Sequence, residues 1–150
     1  MKNLKTYLII LLGCIILSSC TTDKTMIAKG VDLKKYEYAS ITKGQTIHGT
    51  ETDIEIEPGI YEAIEATRLE MVGERRITDL SDKMKGKLVL VKYAATSDEH
   101  GSSISVSFED YMNGKTVASC RSSNSFALTR QWDVDRAIKK VARRIRNIWK

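Results

Sequence analysis

Residues 103–109 alternate strictly between polar and apolar side chains, and no other stretch limits the fold so tightly. Successive side chains of a strand point to opposite faces. Ile104, Val106 and Phe108 therefore share one face with Asp110, while Ser103, Ser105, Ser107 and Glu109 share the other. A sheet built on such a strand has one dry face and one wet face, and needs cover on one side only. Asn113-Gly114 marks the turn into the next strand, and the form of that turn sets the register. A two-residue loop would set Phe108 against Ser119 and Val106 against Arg121. A three-residue loop, Met112-Asn113-Gly114 with the glycine in a left-handed bulge position, sets Phe108 against Ala118 and Val106 against Cys120. The second option keeps apolar against apolar and leaves Arg121 beside Ser105 on the wet face. The bulged turn is expected, with Cys120 as a small core hydrophobe rather than a nucleophile.

The cover comes from amphipathic helices. Val134, Ile138, Val141, Ile145 and Ile148 recur at i, i+4, i+7, i+11 and i+14, with Ala137, Ala142 and Trp149 widening the stripe and Asp133 placed to cap its start. Upstream, the only proline, Pro58, stands where a first helix should begin, since its missing N–H costs nothing there. Ile60, Ala63, Ile64, Thr67 and Met71 continue at helical spacing, with Tyr61 and Val72 flanking them, towards Gly73 as a C-terminal cap. Thr52–Glu57 alternates like a short edge strand, and Asp79–Lys85 can form one further turn before Gly86. Leu88–Ala95 reads as a nearly continuous apolar strand central to the sheet, and Tyr36–Ile41 as a strand opening the domain. The expected fold is α/β of the α+β kind: a two-layer sandwich with a mostly antiparallel sheet of about four strands and two helices on one face.

The N-terminus has a different organisation. Lys2 and Lys5 precede an apolar run from Tyr7 to Leu17 that is 11 residues long. A spanning helix needs about 20 residues, so the run reads as a cleaved signal peptide, not a transmembrane anchor. Leu17-Ser18-Ser19-Cys20 at its end resembles the lipobox of bacterial lipoproteins, in which the cysteine takes a diacylglycerol and becomes the first mature residue. Leu11-Leu12-Gly13-Cys14 has similar form, but cleavage there would leave an apolar run shorter than the usual range of about 7–15 residues. The resemblance implies a signal peptide at 1–19, a lipidated tether at 20–35 and a single α/β domain at 36–150.

Cleavage before Cys20 leaves 150 − 19 = 131 residues, enough for one domain with a real core. It also takes away Lys2 and Lys5, so the formal charge falls from +5 to +3. Of the three cysteines, Cys14 leaves with the signal and Cys20 is consumed as a thioether. Cys120 alone remains as a thiol. No intramolecular disulfide and no Cys/His zinc cluster can then form, and packing must hold the fold.

The lipobox, the Tyr36-Glu37-Tyr38 strand, one helix, a long hairpin and a C-terminal amphipathic helix together resemble small Bacteroidales-type lipoproteins of uncharacterised function. The same order of elements is similar to the outer-membrane lipoprotein that plugs the lipopolysaccharide translocon. By resemblance to lipoprotein sorting signals, Thr21 after the cysteine, where an inner-membrane retention signal would place aspartate, implies the outer membrane. Asp23 as the lone acid close behind Cys20, with Asp32 further along, implies the periplasmic side.

Groups suited to catalysis are sparse. Ser97-Asp98-Glu99-His100-Gly101-Ser102-Ser103 collects serines, carboxylates and a histidine, but neighbours in a hairpin loop diverge and do not make a triad. His48 lies in a polar loop without a ligand partner at a recognisable spacing. Glu55 with Glu57, and Glu62 with Glu65, read as solvated charge. No glycine-rich phosphate loop follows a strand. Neither an enzyme, a metal site nor a cofactor is expected, and no small-molecule substrate is inferred.

The polar side of the last helix carries Arg136, Lys139, Lys140, Arg143, Arg144, Arg146 and Lys150. Of these, Arg136, Lys139, Lys140, Arg143 and Arg146 are the candidates for holding an anionic lipid, lipopolysaccharide or an acidic protein partner. Nucleic acid is excluded because no aromatic residues interleave with the cations to stack bases. The expectation is a lipid-anchored, non-enzymatic binding or assembly module of the bacterial envelope. The rival is an envelope hydrolase acting on glycan or lipid, which a pocket with convergent polar groups would favour.

Overall fold

The computed structural model describes residues 23–42, 45–47, 53–98, 101–124 and 130–150. Their order is β1 (Lys24–Ile27), β2 (Tyr38–Ile41), β3 (Gln45–Ile47), α1 (Asp53–Glu65), β4 (Glu70–Met71), α2 (Asp82–Lys85), β5 (Leu88–Asp98), β6 (Gly101–Asp110), β7 (Thr116–Asn124) and α3 (Arg130–Ile148). Short 3-10 turns at Leu33–Lys35 and Glu74–Asp79 complete it. The α+β class stands, but the sheet has seven strands among the described residues, not about four. Six run in the order β1-β7-β6-β5-β2-β4, and β3 pairs with β5 off that path.

The body of the sheet is antiparallel and its flank is parallel. β1, β7, β6 and β5 are linked by antiparallel ladders. β2 and β3 lie end to end along the other edge of β5, both parallel to it, and β4 pairs parallel with β2. Parallel neighbours need a crossover, and α1 supplies it between β2 and β4. The serine–apolar alternation of β6 is realised: its side chains alternate between buried and half-buried along the whole strand.

The hairpin register is the expected one, with Phe108 opposite Ala118, Val106 opposite Cys120 and Ser105 opposite Arg121. The device that achieves it differs. Asp110 N–H donates to the Lys115 carbonyl at 2.9 Å and Gly114 N–H to the Asp110 carbonyl at 2.8 Å, which closes a wider turn. The odd residue is taken up inside β7, where the ladder slips between Phe108 and Glu109. Val117 and Ala118 are then both buried, as a bulge requires. Gly114 retains its left-handed backbone at φ 67°.

α1 runs from Asp53 to Glu65, so the edge strand expected at Thr52–Glu57 and the helix start expected at Pro58 are both corrected. The buried stripe is Ile56, Ile60, Ala63 and Ile64, at i, i+4, i+7 and i+8. Over so short a stretch, period two and period 3.6 cannot be told apart, and Ile56 belongs to the helical set. Pro58 stands inside the helix, where it forgoes one helical hydrogen bond. The expected cap at Gly73 is corrected as well. Thr67 Oγ1 donates to the Ile64 carbonyl at 2.6 Å, Leu69 enters the core, and Glu70 N–H donates to the Glu37 carbonyl at 2.8 Å. Pairing with β2 therefore ends the helical path well before Met71.

α1 and α3 pack on the same face of the sheet and share its core, which joins Tyr36, Val89, Val91, Ile104, Val106 and Phe108 to Val134, Ala137, Val141 and Ile145. The buried stripe of α3 is centred on Ala137 and Val141; Ile138 and Ile148 are partly buried at its border. The helices meet at Gly59, where an added Cβ would lie 2.6 Å from Ile138 Cγ2. Trp149 closes the layer, fully buried, tilted on Phe108 at 5.1 Å between ring centroids and edge-on to Tyr36 at 6.1 Å. Asp133 is not a cap but a buried first-turn residue of α3 that accepts a hydrogen bond from Asn124 Nδ2. Among the described residues no helix is long and apolar enough to cross a membrane.

The domain also begins earlier than Tyr36. Within the segment expected to be tether, Lys24–Ile27 forms β1 on the outer edge of β7, and Val31 and Leu33 pack against the core. All four β1 side chains are exposed, so the strand has no buried face to leave a pattern in the sequence. Backbone pairing, not side-chain burial, makes it a strand.

Candidate functional site

The face of the sheet turned away from the helices is open. Ser105, Ser107, Ser119, Thr42 and Ala94 line a shallow concavity of about 610 Å³, with Lys24, Lys92 and Arg121 around them and Met26 at its rim. The register explains this collection: Lys24 faces Arg121 and Met26 faces Ser119, while Ser107 sits opposite both Ser119 and Lys92. Lys92 Nζ pairs with Glu109 Oε2 at 2.5 Å, and Arg121 Nε donates to Ser103 Oγ at 3.0 Å. Hydroxyls and cations thus punctuate a surface that also exposes much apolar carbon, and they can hydrogen-bond and hold anionic groups. Cys120 contributes only its strand to this floor. Its side chain is in the core, where burial pushes the thiol up to about 12, so it is a poor nucleophile.

Of the serine, carboxylate and histidine cluster near the β5–β6 turn, only Ser102 and Ser103 have described side chains. Ser102 is buried and Ser103 half-buried on the opposite side of β6, and Glu99 and His100 lie outside the described residues. His48 lies outside them too. Glu57 accepts a hydrogen bond from Tyr93 Oη at 3.0 Å, and Glu62 and Glu65 are exposed on α1.

α3 divides its basic residues among three surroundings. Arg136, Lys139, Arg143 and Arg146 are exposed. Lys139 and Arg146 border a groove against α1 with Gly59 and Glu62, whereas Arg143 borders one against β1 with Thr25 and Ile27. Lys140 is half-buried and donates to the Ser123 carbonyl at 3.2 Å and Asn124 Oδ1 at 3.1 Å. The five candidates therefore do not form one patch, and Lys140 helps to hold the end of β7.

Two aspartates organise the ends of the sheet, a role that their place in the sequence did not show. Asp110, 3% exposed, accepts from Lys35 Nζ and Tyr36 Oη, both at 2.8 Å, and from the N–H groups of Met112 at 2.9 Å and Asn113 at 3.2 Å. Burial opposes its ionisation, but these donors outweigh that cost and hold the carboxyl below the ordinary carboxylate value. At the other end, Asp23 accepts from Ser122 Oγ and pairs with Arg144 Nη2 at 3.0 Å, while Arg144 Nη1 donates to Thr25 Oγ1 at 2.9 Å. Burial again opposes ionisation; the bonds from Ser122 and Arg144, and the charges of Arg144 and Lys140, lower the Asp23 pKa. The usable signal for Asp110 was its place on the apolar face of β6; the partners of both aspartates lie far along the chain, where no local pattern shows them. Cys20 lies outside the described residues.

The arrangement, a mixed sheet with both long helices on one face, has relatives among solved structures. No protein-family model and no curated protein matches the sequence. The chain is similar to the PelC dodecamer from Paraburkholderia phytofirmans, with a TM-score of 0.59 at 9% identity, over 84% of this chain and 97% of that one. It is also similar to a DUF4136 family protein from Bacteroides thetaiotaomicron, with a TM-score of 0.55 at 14% identity, over 85% of this chain and 95% of that one. At such identities the likeness speaks for the fold alone. The second supports a fold found in an uncharacterised Bacteroides family, and neither supports the likeness to the lipopolysaccharide-translocon plug.

Proposed function

We propose that this protein is a lipid-anchored, non-enzymatic binding or assembly module of the bacterial envelope, held at the outer membrane through Cys20, whose working surface is the open sheet face. The observation that carries the reading is that face: a wide floor bearing serine hydroxyls and three cations, shallow and, among its described lining residues, without a nucleophile held by a base. Catalysis by hydrolysis needs a nucleophile within hydrogen-bond reach of an oriented base. A broad hydroxylated surface suits reversible binding of a polymer or partner protein instead. The test is a photo-cross-linking residue at Ser105 or Ser107 in the full chain, activated in intact cells. A discrete adduct, absent when the cross-linker replaces exposed Glu62 on α1, supports the reading; equal labelling from all three positions overturns it. Loss of radioactive palmitate incorporation in Cys20→Ala checks the anchor.

A second reading is self-assembly, favoured by the exposed Met26 and Ile27 on the β1 edge. An edge strand with unpaired backbone groups offers a ready partner surface, and the PelC relatives are dodecamers. Light scattering on a soluble chain beginning at Asp23 tests it: a monomer at micromolar concentration rules it out.

A further inference from the structure

We propose that the end of the domain that carries Asp23, Asn124 and Trp132 is a bilayer-docking surface, held against the phospholipid headgroups by a leash only two residues long. The inference rests on the reading of Cys20 as the acylated residue. Thr21 and Thr22 alone separate Cys20 from Asp23. Three residues at full extension reach about 11 Å, so the acylated residue stays within that distance of Asp23.

Asp23 is itself fixed to the domain. Its carboxylate is held by Ser122 and Arg144, and Arg144 also holds Thr25. β1 is zipped onto β7 from Lys24 to Ile27, and Ala28 N–H continues the contact to the Val117 carbonyl at 2.9 Å. A long flexible tether would let the domain sample many orientations. A two-residue leash ending on a bolted strand holds one end of the domain at the membrane.

That end carries the chemistry a lipid interface selects. Asn124, two residues beyond Ser122 on β7, donates to Asp133, which ties the first turn of α3 to the same end of β7 that holds Asp23 through Ser122. The adjacent Trp132 is 53% exposed, and the Arg136 guanidinium lies 6.0 Å from its ring centroid. Tryptophan combines an apolar ring with one polar N–H and concentrates at membrane interfaces. Lys24 and Arg121, paired across the β1–β7 ladder, add cations where the leash joins β1. Positive charge at both places complements anionic headgroups, which attract each nearby cation.

The two tryptophans provide the readout, because Trp149 is fully buried and Trp132 is exposed. The acylated full chain is purified and reconstituted in phosphatidylethanolamine/phosphatidylglycerol vesicles, with and without bromine on the acyl chains near the headgroups. Bromine quenches only nearby indole. Quenching of one emission component is expected, absent in Trp132→Phe and lost when a Gly/Ser spacer of about ten residues, adding roughly 18 Å of reach, is inserted between Thr22 and Asp23. Vesicle-bound, acylated protein whose Trp132 emission is not quenched overturns the proposal, as does quenching that survives the spacer undiminished. A protein found by mass spectrometry to carry no acyl chain fails differently: it removes the anchor reading, and the docking surface with it.

Discussion

The sheet is pinned to the N-terminal segment at both ends by an aspartate, yet the two pins do different jobs. Asp110 is almost wholly buried and ties the β6–β7 turn to Lys35 and to Tyr36, a core residue. Asp23 keeps 19% of its side-chain exposure, shares Arg144 with Thr25, and holds nothing but the edge strand. Similar chemistry therefore secures the fold at one end and the exit of the chain at the other. Burial makes the difference: an unpaired group costs most where water cannot replace the lost partner.

Asp110→Ala should break the comparison most visibly, lowering unfolding free energy by about 3 kcal/mol in denaturant titration, because a buried phenol and two turn N–H groups lose their acceptor. The same carboxyl makes stability depend on acid. Its folded pKa lies below the unfolded value of about 3.9, so its contribution is present above that pH and lost as pH falls through the folded pKa. Asp110→Asn should flatten this acid limb.

A site between the helices, unrelated to either aspartate, calibrates the scale. Gly59→Ala forces a Cβ into Ile138 and should cost about 2 kcal/mol in the same titration. An effect larger than that of Asp110→Ala would show that the helical seam, not the turn, limits stability.

Asp23→Ala should cost only about 1 kcal/mol, since its partners can turn to water. Its signature is local: faster hydrogen exchange of the β1 amides while those of β6 keep their protection. Uniform loss across the sheet would erase the distinction between the two ends.

Cys120→Ala should also cost about 1 kcal/mol, because little volume is lost. The folded thiol should resist alkylation at pH 8, its pKa being pushed up to about 12. The smallest effect belongs to Lys139→Gln, Arg143→Gln and Arg146→Gln combined. These exposed side chains should leave thermal stability nearly unchanged.

Much of the hairpin and of α3 was legible because their patterns are local. Ser103 to Asp110 carries its face assignment residue by residue, and the Phe108–Ala118 register followed from matching apolar positions. Val134, Val141 and Ile145 recur at a spacing only a helix satisfies. α1 was misplaced by several residues because Ile54 and Ile56 fit strand and helix alike, and because Leu69 and Glu70 leave the helical path to meet Glu37, more than 30 residues away. Of the candidate site, the serine face was visible in the sequence. Its flanking cations, Lys24 and Arg121, were not assembled until β1 took its place on β7.

The sequence by itself determined the two-layer principle, the wet and dry faces of β6, the register of β7 and the amphipathic character of α3. Each depends on side-chain periods that neighbouring residues express together. Only the tertiary structure decided that Lys24–Ile27 is an edge strand, that β2 and β3 run parallel beside β5, and that Asp110 and Asp23 secure opposite ends. Those choices depend on backbone hydrogen bonds and charge pairs between residues up to about 120 positions apart. Such a bond gains its energy from a partner that no local window contains.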